Sequence, residues 1–121
     1  MSKAALSIRW FAVYLFLLGA SLMMFPNLML SIFAFPGTTE VWIRVAGVLV
    51  FNIGLYYRAA APAEQRSFFL ATIFARSFVL IAFTAFVILG YARPMLIAIG
   101  SIDFAGAIWT LTALRNRSPA A

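Results

Sequence analysis

The amino-acid sequence predicts an all-α protein, an integral membrane four-helix bundle with a short interfacial or re-entrant helix between the first two spans. Hydrophobic residues make up 65% of the 121 positions, charged residues make up 10%, and the mean hydropathy is +1.04. Soluble domains average about 45–50% apolar and about 25% charged residues. Four apolar stretches have the length of a membrane span, at about 6–25, 41–57, 67–89 and 94–114. We therefore expect one domain, residues 1–121, that crosses the membrane four times.

The first span, at about 6–25, includes the basic residue Arg9 and follows Lys3. Proline lacks an amide donor and clashes inside a helix, so Pro26 predicts the end of this span. The apolar residues 28–35 that follow are too few to cross a bilayer. They predict a short helix that lies at the membrane surface or re-enters the membrane.

A turn around Pro36 precedes the second span, which begins at about residue 41. Thr38 or Thr39 is expected to cap its helix, because threonine hydroxyls accept hydrogen bonds from free amides of a first turn. Within this span Arg44, Asn52 and Tyr56 lie eight and four positions apart. This spacing predicts a polar stripe along one side of the helix, facing the bundle interior.

The third and fourth spans each carry a charged residue where hydrocarbon is expected. Arg76 lies near the middle of the stretch at about 67–89, and Asp103 lies well inside the stretch at about 94–114. Pro94 suits the first position of the last helix, because the amide that proline lacks has no helical partner there.

Basic residues indicate the orientation of the spans, because Lys and Arg are retained on the cytoplasmic side of a membrane. With four spans, six of the nine basic residues fall on one side: Lys3, Arg9, Arg58, Arg66, Arg115 and Arg117. The opposite connections carry Arg93, with Glu40 and Arg44 at their edge. We expect a multi-pass protein of the bacterial inner membrane with both termini in the cytoplasm.

The polar side chains within the spans predict a buried cluster of Arg44, Asn52, Tyr56, Arg76 and Asp103. An ionised carboxylate in hydrocarbon is costly, so Asp103 is expected to face guanidinium groups from neighbouring helices. As a functional site, the cluster would bind an anion, a lipid headgroup or a proton. As a structural feature, it would be a buried pair that fixes how the helices align. The structural interpretation is favoured, because no histidine or second carboxylate continues a proton path.

Small residues predict where helices approach one another closely: Gly19, Gly47, Gly54, Ala75, Gly100 and Gly106. Within one chain, such seams bring the four spans together. They equally allow contacts with other subunits, because four short helices bury little of their own surface. The sequence leaves both alternatives open.

The residue types that are missing exclude most catalytic chemistry. The chain has no cysteine and no histidine, which excludes disulfides, thiol chemistry, iron–sulfur clusters and the usual haem, copper and zinc ligands. Its three acidic residues are spread over the chain and do not suggest a cage for a hard cation. We predict no metal, no cofactor and no catalytic residue. Nucleic-acid binding is not expected either, because the basic residues lie beside the apolar stretches.

Aromatic residues are abundant, with thirteen Phe, three Trp and four Tyr. Aromatic side chains line many apolar ligand pockets, so a groove for a lipid or a quinone is one interpretation. The other interpretation is favoured: the aromatic side chains face lipid and anchor the helices at the membrane interface.

The second to fourth spans resemble the small four-helix membrane families around DoxX and its uncharacterised relatives. The resemblance is carried by residues 42–47 and 54–56, Arg76, residues 89–90 with Pro94, and Asp103 with residues 106–107. It implies a four-helix bundle and a role as an accessory subunit of a membrane oxidoreductase or as an assembly helper.

Three functional hypotheses follow, in order of preference. The first is a small non-catalytic accessory or assembly subunit in the lipid bilayer, packing against copies of itself or within a larger membrane complex. The second is a carrier that binds a small solute, lipid or quinone through the Arg–Asp cluster. The third is a membrane enzyme that uses Asp103 as an acid or a base.

Overall fold

The computed structural model describes residues 1–116, and every regular element in that part of the chain is helical. The elements are α1 (Lys3–Met24), α2 (Pro26–Ile32), α3 (Trp42–Ala60) with a 3-10 turn at Ala61–Ala63, α4 (Arg66–Ile88) and α5 (Met95–Arg115). The four long helices confirm the four predicted apolar stretches, with ends that differ by at most three residues. By length and composition, each of the four could cross a membrane.

The break between α1 and α2 is the one that proline predicts. Phe25 leaves the helical conformation, with φ −132° and ψ 57°, and Pro26 then occupies the first turn of α2. The seven residues of α2 confirm the predicted short helix between the first two long ones. At its other end, α1 is capped by Ser2, whose Oγ accepts a hydrogen bond from the Ala5 amide at 3.0 Å.

The predicted threonine cap of α3 is wrong. Val41 precedes the helix, and no side chain caps it. The Thr38 Oγ1 instead accepts a hydrogen bond from the Glu40 amide at 3.0 Å, two residues before the helix begins. The Thr38 amide donates to Asn27 Oδ1 at 2.8 Å. This threonine therefore closes the loop onto α2 rather than starting α3.

The helices are arranged around α1. Helix α1 packs against both α3 and α5, and α4 packs mainly against α5. Going around the bundle, the order is α3, α1, α5, α4, so α3 and α4 are neighbours in sequence with little direct packing between them. The Ser2 amide donates to Glu64 Oε1 at 2.7 Å, which places the start of α1 and the start of α4 at the same end of the bundle.

Glycines form the closest contact, which joins α1 to α3. A Cβ atom added to Gly19 would lie 2.7 Å from the Gly47 carbonyl oxygen, and one added to Gly47 would lie 2.8 Å from the Gly19 carbonyl oxygen. Ordinary side chains do not tolerate such distances, so the two backbones touch directly. Further along the same interface, Gly54 faces the Phe16 ring, which would be 3.1 Å from an added Cβ.

Of the other predicted small residues, Gly100 and Gly106 lie where α5 packs against its neighbours, and Ala75 lies at the surface. An added Cβ at Gly100 would meet the Leu80 backbone of α4 at 3.2 Å, and one at Gly106 would meet the Phe11 ring of α1 at 2.8 Å. Ala75 is exposed and faces the gap between α3 and α4. The five glycines are therefore used for packing within the chain, whereas the place of the exposed Ala75 in a packing seam stays a prediction.

Candidate functional site

A cavity of about 510 Å³ lies at the centre of the bundle, where α3 and α4 leave space between them. All four long helices contribute to its wall, which is almost entirely apolar. Ile53 of α3 and Ala71 and Ala75 of α4 line the cavity and are also exposed at the outer surface. The cavity therefore opens sideways, between α3 and α4, through an exposed face of the bundle.

Arg76 lies in the wall of this cavity, yet only 3% of its surface is exposed. Side chains on a helix lean toward its start, and the Arg76 side chain runs back along α4 to Thr72. Its Nε donates to the Thr72 carbonyl oxygen at 3.1 Å, and its Nη2 donates to Thr72 Oγ1 at 3.0 Å. The guanidinium is thus held largely by its own helix.

A second threonine links Arg76 to two further helices. The Nη2 atom also donates to Thr110 Oγ1 of α5 at 2.9 Å. The Thr110 hydroxyl in turn shares a hydrogen bond of 2.7 Å with Ser7 Oγ of α1. Ser7, Thr72 and Thr110 are all buried. Buried hydroxyls joined in this way form a polar network that connects α1, α4 and α5.

Two aromatic rings complete the surroundings of the guanidinium. Its central carbon lies 4.9 Å from the centre of the Phe11 ring and 5.9 Å from the centre of the Tyr57 ring. A guanidinium at this range of a ring face is stabilised by the ring quadrupole. Gly106 provides the space, because an added Cβ there would lie 2.8 Å from the Phe11 ring and 3.1 Å from Arg76 Nη1.

Asp103 has a different environment from Arg76. It lies on α5 in the cavity wall and is half-buried. Within residues 1–116 no group forms a hydrogen bond with its carboxylate, although it lies within electrostatic range of both Arg76 and Tyr14. The Arg76 Nη1 atom is also without a hydrogen-bond partner among these residues, but it is fully enclosed. The acid and the guanidinium therefore face one cavity without direct contact.

The five-residue cluster that the sequence predicts does not form. Arg44 is exposed at the other end of α3, where its Nη1 donates to the Met23 carbonyl oxygen in the last turn of α1. Tyr56 is 66% exposed and points away from the bundle. Asn52 is half-buried and does not line the cavity. Of the five predicted residues, only Arg76 and Asp103 share a site.

The sequence places Thr72 one helical turn before Arg76, but sequence reasoning missed other side chains around the guanidinium, namely Tyr57, Ser7 and Thr110. Tyr57, rather than its neighbour Tyr56, is the tyrosine inside the bundle. Ser7 and Thr110 lie near the ends of their helices at the same end of the bundle, toward which Arg76 extends. The three residues could have been placed at the same depth in the bundle from the sequence, because an arginine side chain on α4 points toward the start of its helix. This common depth was the signal for a shared network.

Among residues 1–116, no group of three or more acidic, histidine or cysteine side chains is placed to hold a metal ion. No protein-family model, curated protein or solved structure matches the chain. The resemblance to the DoxX-like families therefore stays a prediction from the sequence.

Proposed function

We propose that this chain is a non-catalytic membrane protein that binds a small lipid-soluble molecule in its central cavity. The observation that carries the proposal is an apolar cavity, open sideways between α3 and α4. The acid in its wall forms no hydrogen bond with any group in residues 1–116. A cavity of about 510 Å³ is within the size range of ligand sites, which are mostly apolar with a few placed polar groups.

The proposal includes insertion of the four long helices into the bacterial inner membrane, with both termini in the cytoplasm. Many large apolar side chains point outward from the bundle, including Leu17, Phe74 and Ile81, each at least 66% exposed. Such a surface suits lipid and would be unfavourable in water. A ligand dissolved in the bilayer would then reach the cavity directly from the side.

Packing alone accounts for Arg76 but not for Asp103. Thr72, Thr110 and two rings hold the guanidinium, which forms no hydrogen bond with the acid. A carboxylate placed in an apolar wall without hydrogen bonds is costly, and such residues mark functional positions in membrane proteins. A bound molecule that interacts with Asp103 supplies a reason for the acid to be there.

The structure weakens one argument for the accessory or assembly role that the sequence predicts. It was based partly on seams of small residues that could face other subunits. Gly19, Gly47, Gly54, Gly100 and Gly106 all pack inside the chain, so these five glycines do not indicate an outside partner. An accessory role stays a prediction, and ligand binding is the function that the geometry favours.

The proposal is tested with four amphiphiles that share a chain of equal length: dodecanol, dodecylamine, laurate and methyl laurate. Binding is measured by isothermal titration to the purified protein in a neutral detergent. Ala75→Phe places a ring at the opening between α3 and α4 and is expected to abolish binding of every amphiphile that the wild-type protein takes. Ala105→Phe adds the same ring to an exposed position of α5 outside the cavity wall and serves as the control.

Two results would contradict the proposal. The first is a wild-type protein that binds none of the four amphiphiles. The second is equal binding by the Ala75→Phe and Ala105→Phe proteins, which would place the amphiphiles on the outer surface and not in the cavity.

A further inference from the structure

We infer that the ligand is electrically neutral and that its polar end donates a hydrogen bond to Asp103, as a hydroxyl group does. The inference rests on the proposed function, because it specifies the chemistry of the molecule in the same cavity. It follows from the charges in the cavity wall, the direction of the hydrogen-bonding groups and the apolar character of everything else.

The charges in the wall balance. Among the described residues that line the cavity, Arg76 and Asp103 are the two that carry formal charges. Together they give a net charge of zero, and they lie close enough to attract each other. A cationic ligand would leave one uncompensated positive charge in this apolar space, and an anionic ligand would leave one negative charge. Either is costly where the dielectric constant is low, so a neutral ligand fits best.

The acid in the cavity wall favours a hydrogen-bond donor on the ligand. The Arg76 donors are directed at Thr72 and Thr110, and the remaining Nη1 atom is enclosed beside Gly106. Asp103 faces the cavity with free hydrogen-bonding capacity, and an ionised carboxylate only accepts. The Tyr14 and Tyr57 hydroxyls also line the cavity, and a hydroxyl both donates and accepts. A ligand with a hydroxyl or amide N–H satisfies the acid, whereas an ester or ketone does not.

The rest of the wall defines the rest of the molecule. Aliphatic and aromatic side chains such as Leu18, Val50 and Val79 surround the polar pair. The opening between α3 and α4 allows a chain longer than the cavity to continue into the bilayer. The expected ligand is therefore a long or bulky apolar molecule with one donor group, held with that group near the middle of α5.

The four amphiphiles of equal chain length separate charge from donor capacity. The wild-type protein is expected to bind dodecanol most tightly. Methyl laurate is also neutral but lacks a donor, and a lost hydrogen bond to a charged group corresponds to roughly tenfold weaker binding or more. Laurate and dodecylamine are expected to bind more weakly than dodecanol because each brings a net charge into the cavity.

Variants that change the charge of the wall are expected to change the preference. Asp103→Asn leaves a cavity wall with a net positive charge. The affinity for laurate relative to that for dodecanol is therefore expected to rise by roughly tenfold or more. Arg76→Gln leaves a net negative wall, so dodecylamine is expected to gain. Arg44→Gln removes the same charge outside the cavity and is expected to leave the order of affinities unchanged. If Arg76→Gln does not fold, the Asp103→Asn protein alone still decides the outcome.

The outcomes separate this inference from the proposed function. If the wild-type protein binds laurate or dodecylamine most tightly, and Ala75→Phe still blocks that binding, the inference that the ligand is neutral is wrong. The proposed binding function would still hold. Equal binding of methyl laurate and dodecanol would overturn the donor requirement. An Asp103→Asn protein with an unchanged order of preference would show that the acid does not contact the ligand. No binding by any amphiphile would contradict the proposed function itself.

Discussion

The contact between Gly19 and Gly47 allows a stability prediction from distances alone. In Gly47→Ala, the new methyl group would lie 2.8 Å from the Gly19 carbonyl oxygen and 2.9 Å from both the Leu22 Cβ and the Met23 amide nitrogen. Two of these three atoms belong to the backbone of α1, which cannot rotate away as a side chain does. Helices α1 and α3 must therefore move apart to accommodate the methyl group.

The magnitude follows from two opposing effects. The three contacts are about 0.5–0.6 Å shorter than an ordinary contact of 3.4 Å. Overpacking of this kind costs about 1–3 kcal/mol. Alanine also favours the helix over glycine by up to about 1 kcal/mol, which offsets part of the cost. We expect Gly47→Ala to lower the free energy of unfolding by about 1–2 kcal/mol.

Gly54→Ala is the matched control at the same interface. There the added methyl group would be 3.1 Å from the ring of Phe16, a side chain that can adjust, and 3.2 Å from the Leu15 Cβ. Both distances are longer than any of the three at Gly47. The packing cost and the gain in helix propensity then nearly cancel, so the change is expected to be close to zero. The assay is reversible unfolding in mixed micelles with increasing dodecyl sulfate, followed by far-ultraviolet circular dichroism. A Gly47→Ala protein as stable as the wild type, or less affected than Gly54→Ala, would refute the reasoning.

Three further predictions concern the network, its packing and the topology. Thr110→Val removes the hydroxyl that accepts from Arg76, and the loss of a buried acceptor is expected to lower the unfolding free energy by about 1–3 kcal/mol in the same assay. Gly106→Ala would bring a methyl group within 3.1 Å of the guanidinium, and we expect lower stability together with altered dodecanol affinity by titration. Because the chain has no cysteine, single-cysteine proteins report topology without background. Ser2→Cys is expected to react with an impermeant maleimide only after the cells are opened, and Tyr91→Cys is expected to react in intact cells.

The helices could be predicted from the sequence because their signals are local. A run of apolar residues, a proline after Phe25 and a short stretch between breaks each act within a few residues of the element they define. The predicted ends therefore agree closely with α1, α3, α4 and α5. The Thr38 cap failed for a related reason: the hydroxyl has more than one nearby amide, and the loop geometry decides between them.

The site was harder to predict because it depends on how each helix is rotated. One residue along an α-helix turns the side chain by about 100°, so Tyr56 and Tyr57 point in very different directions. Which of them faces inward is decided by the contact of Gly47 and Gly54 with α1, and that contact is not visible in hydropathy. Arg44 was expected to reach the interior, but a free carbonyl at the end of α1 offered a nearer acceptor.

Serine and threonine hydroxyls within helices carry little information in sequence, since many bond to a carbonyl of their own helix. Ser21, Ser77 and Ser101 do so here. Ser7 does so too, with the Ala4 carbonyl oxygen at 2.6 Å, and nevertheless joins three helices together with Thr110 and Arg76. The difference lies in what stands opposite each hydroxyl, which only the assembled bundle defines.

The separation of Arg76 from Asp103 is what makes this cavity suited to a ligand. Had the two groups formed a direct ion pair, each would have satisfied the other, and the structural interpretation would account for both. Instead the threonines and rings satisfy nearly all of the guanidinium, so its charge remains close by while its donors are engaged elsewhere. Asp103 then has a positive charge nearby and keeps its hydrogen-bonding capacity. A carboxylate whose charge is compensated, but whose oxygens still accept hydrogen bonds, favours a neutral ligand that donates a hydrogen bond. The amphiphile series measures this preference.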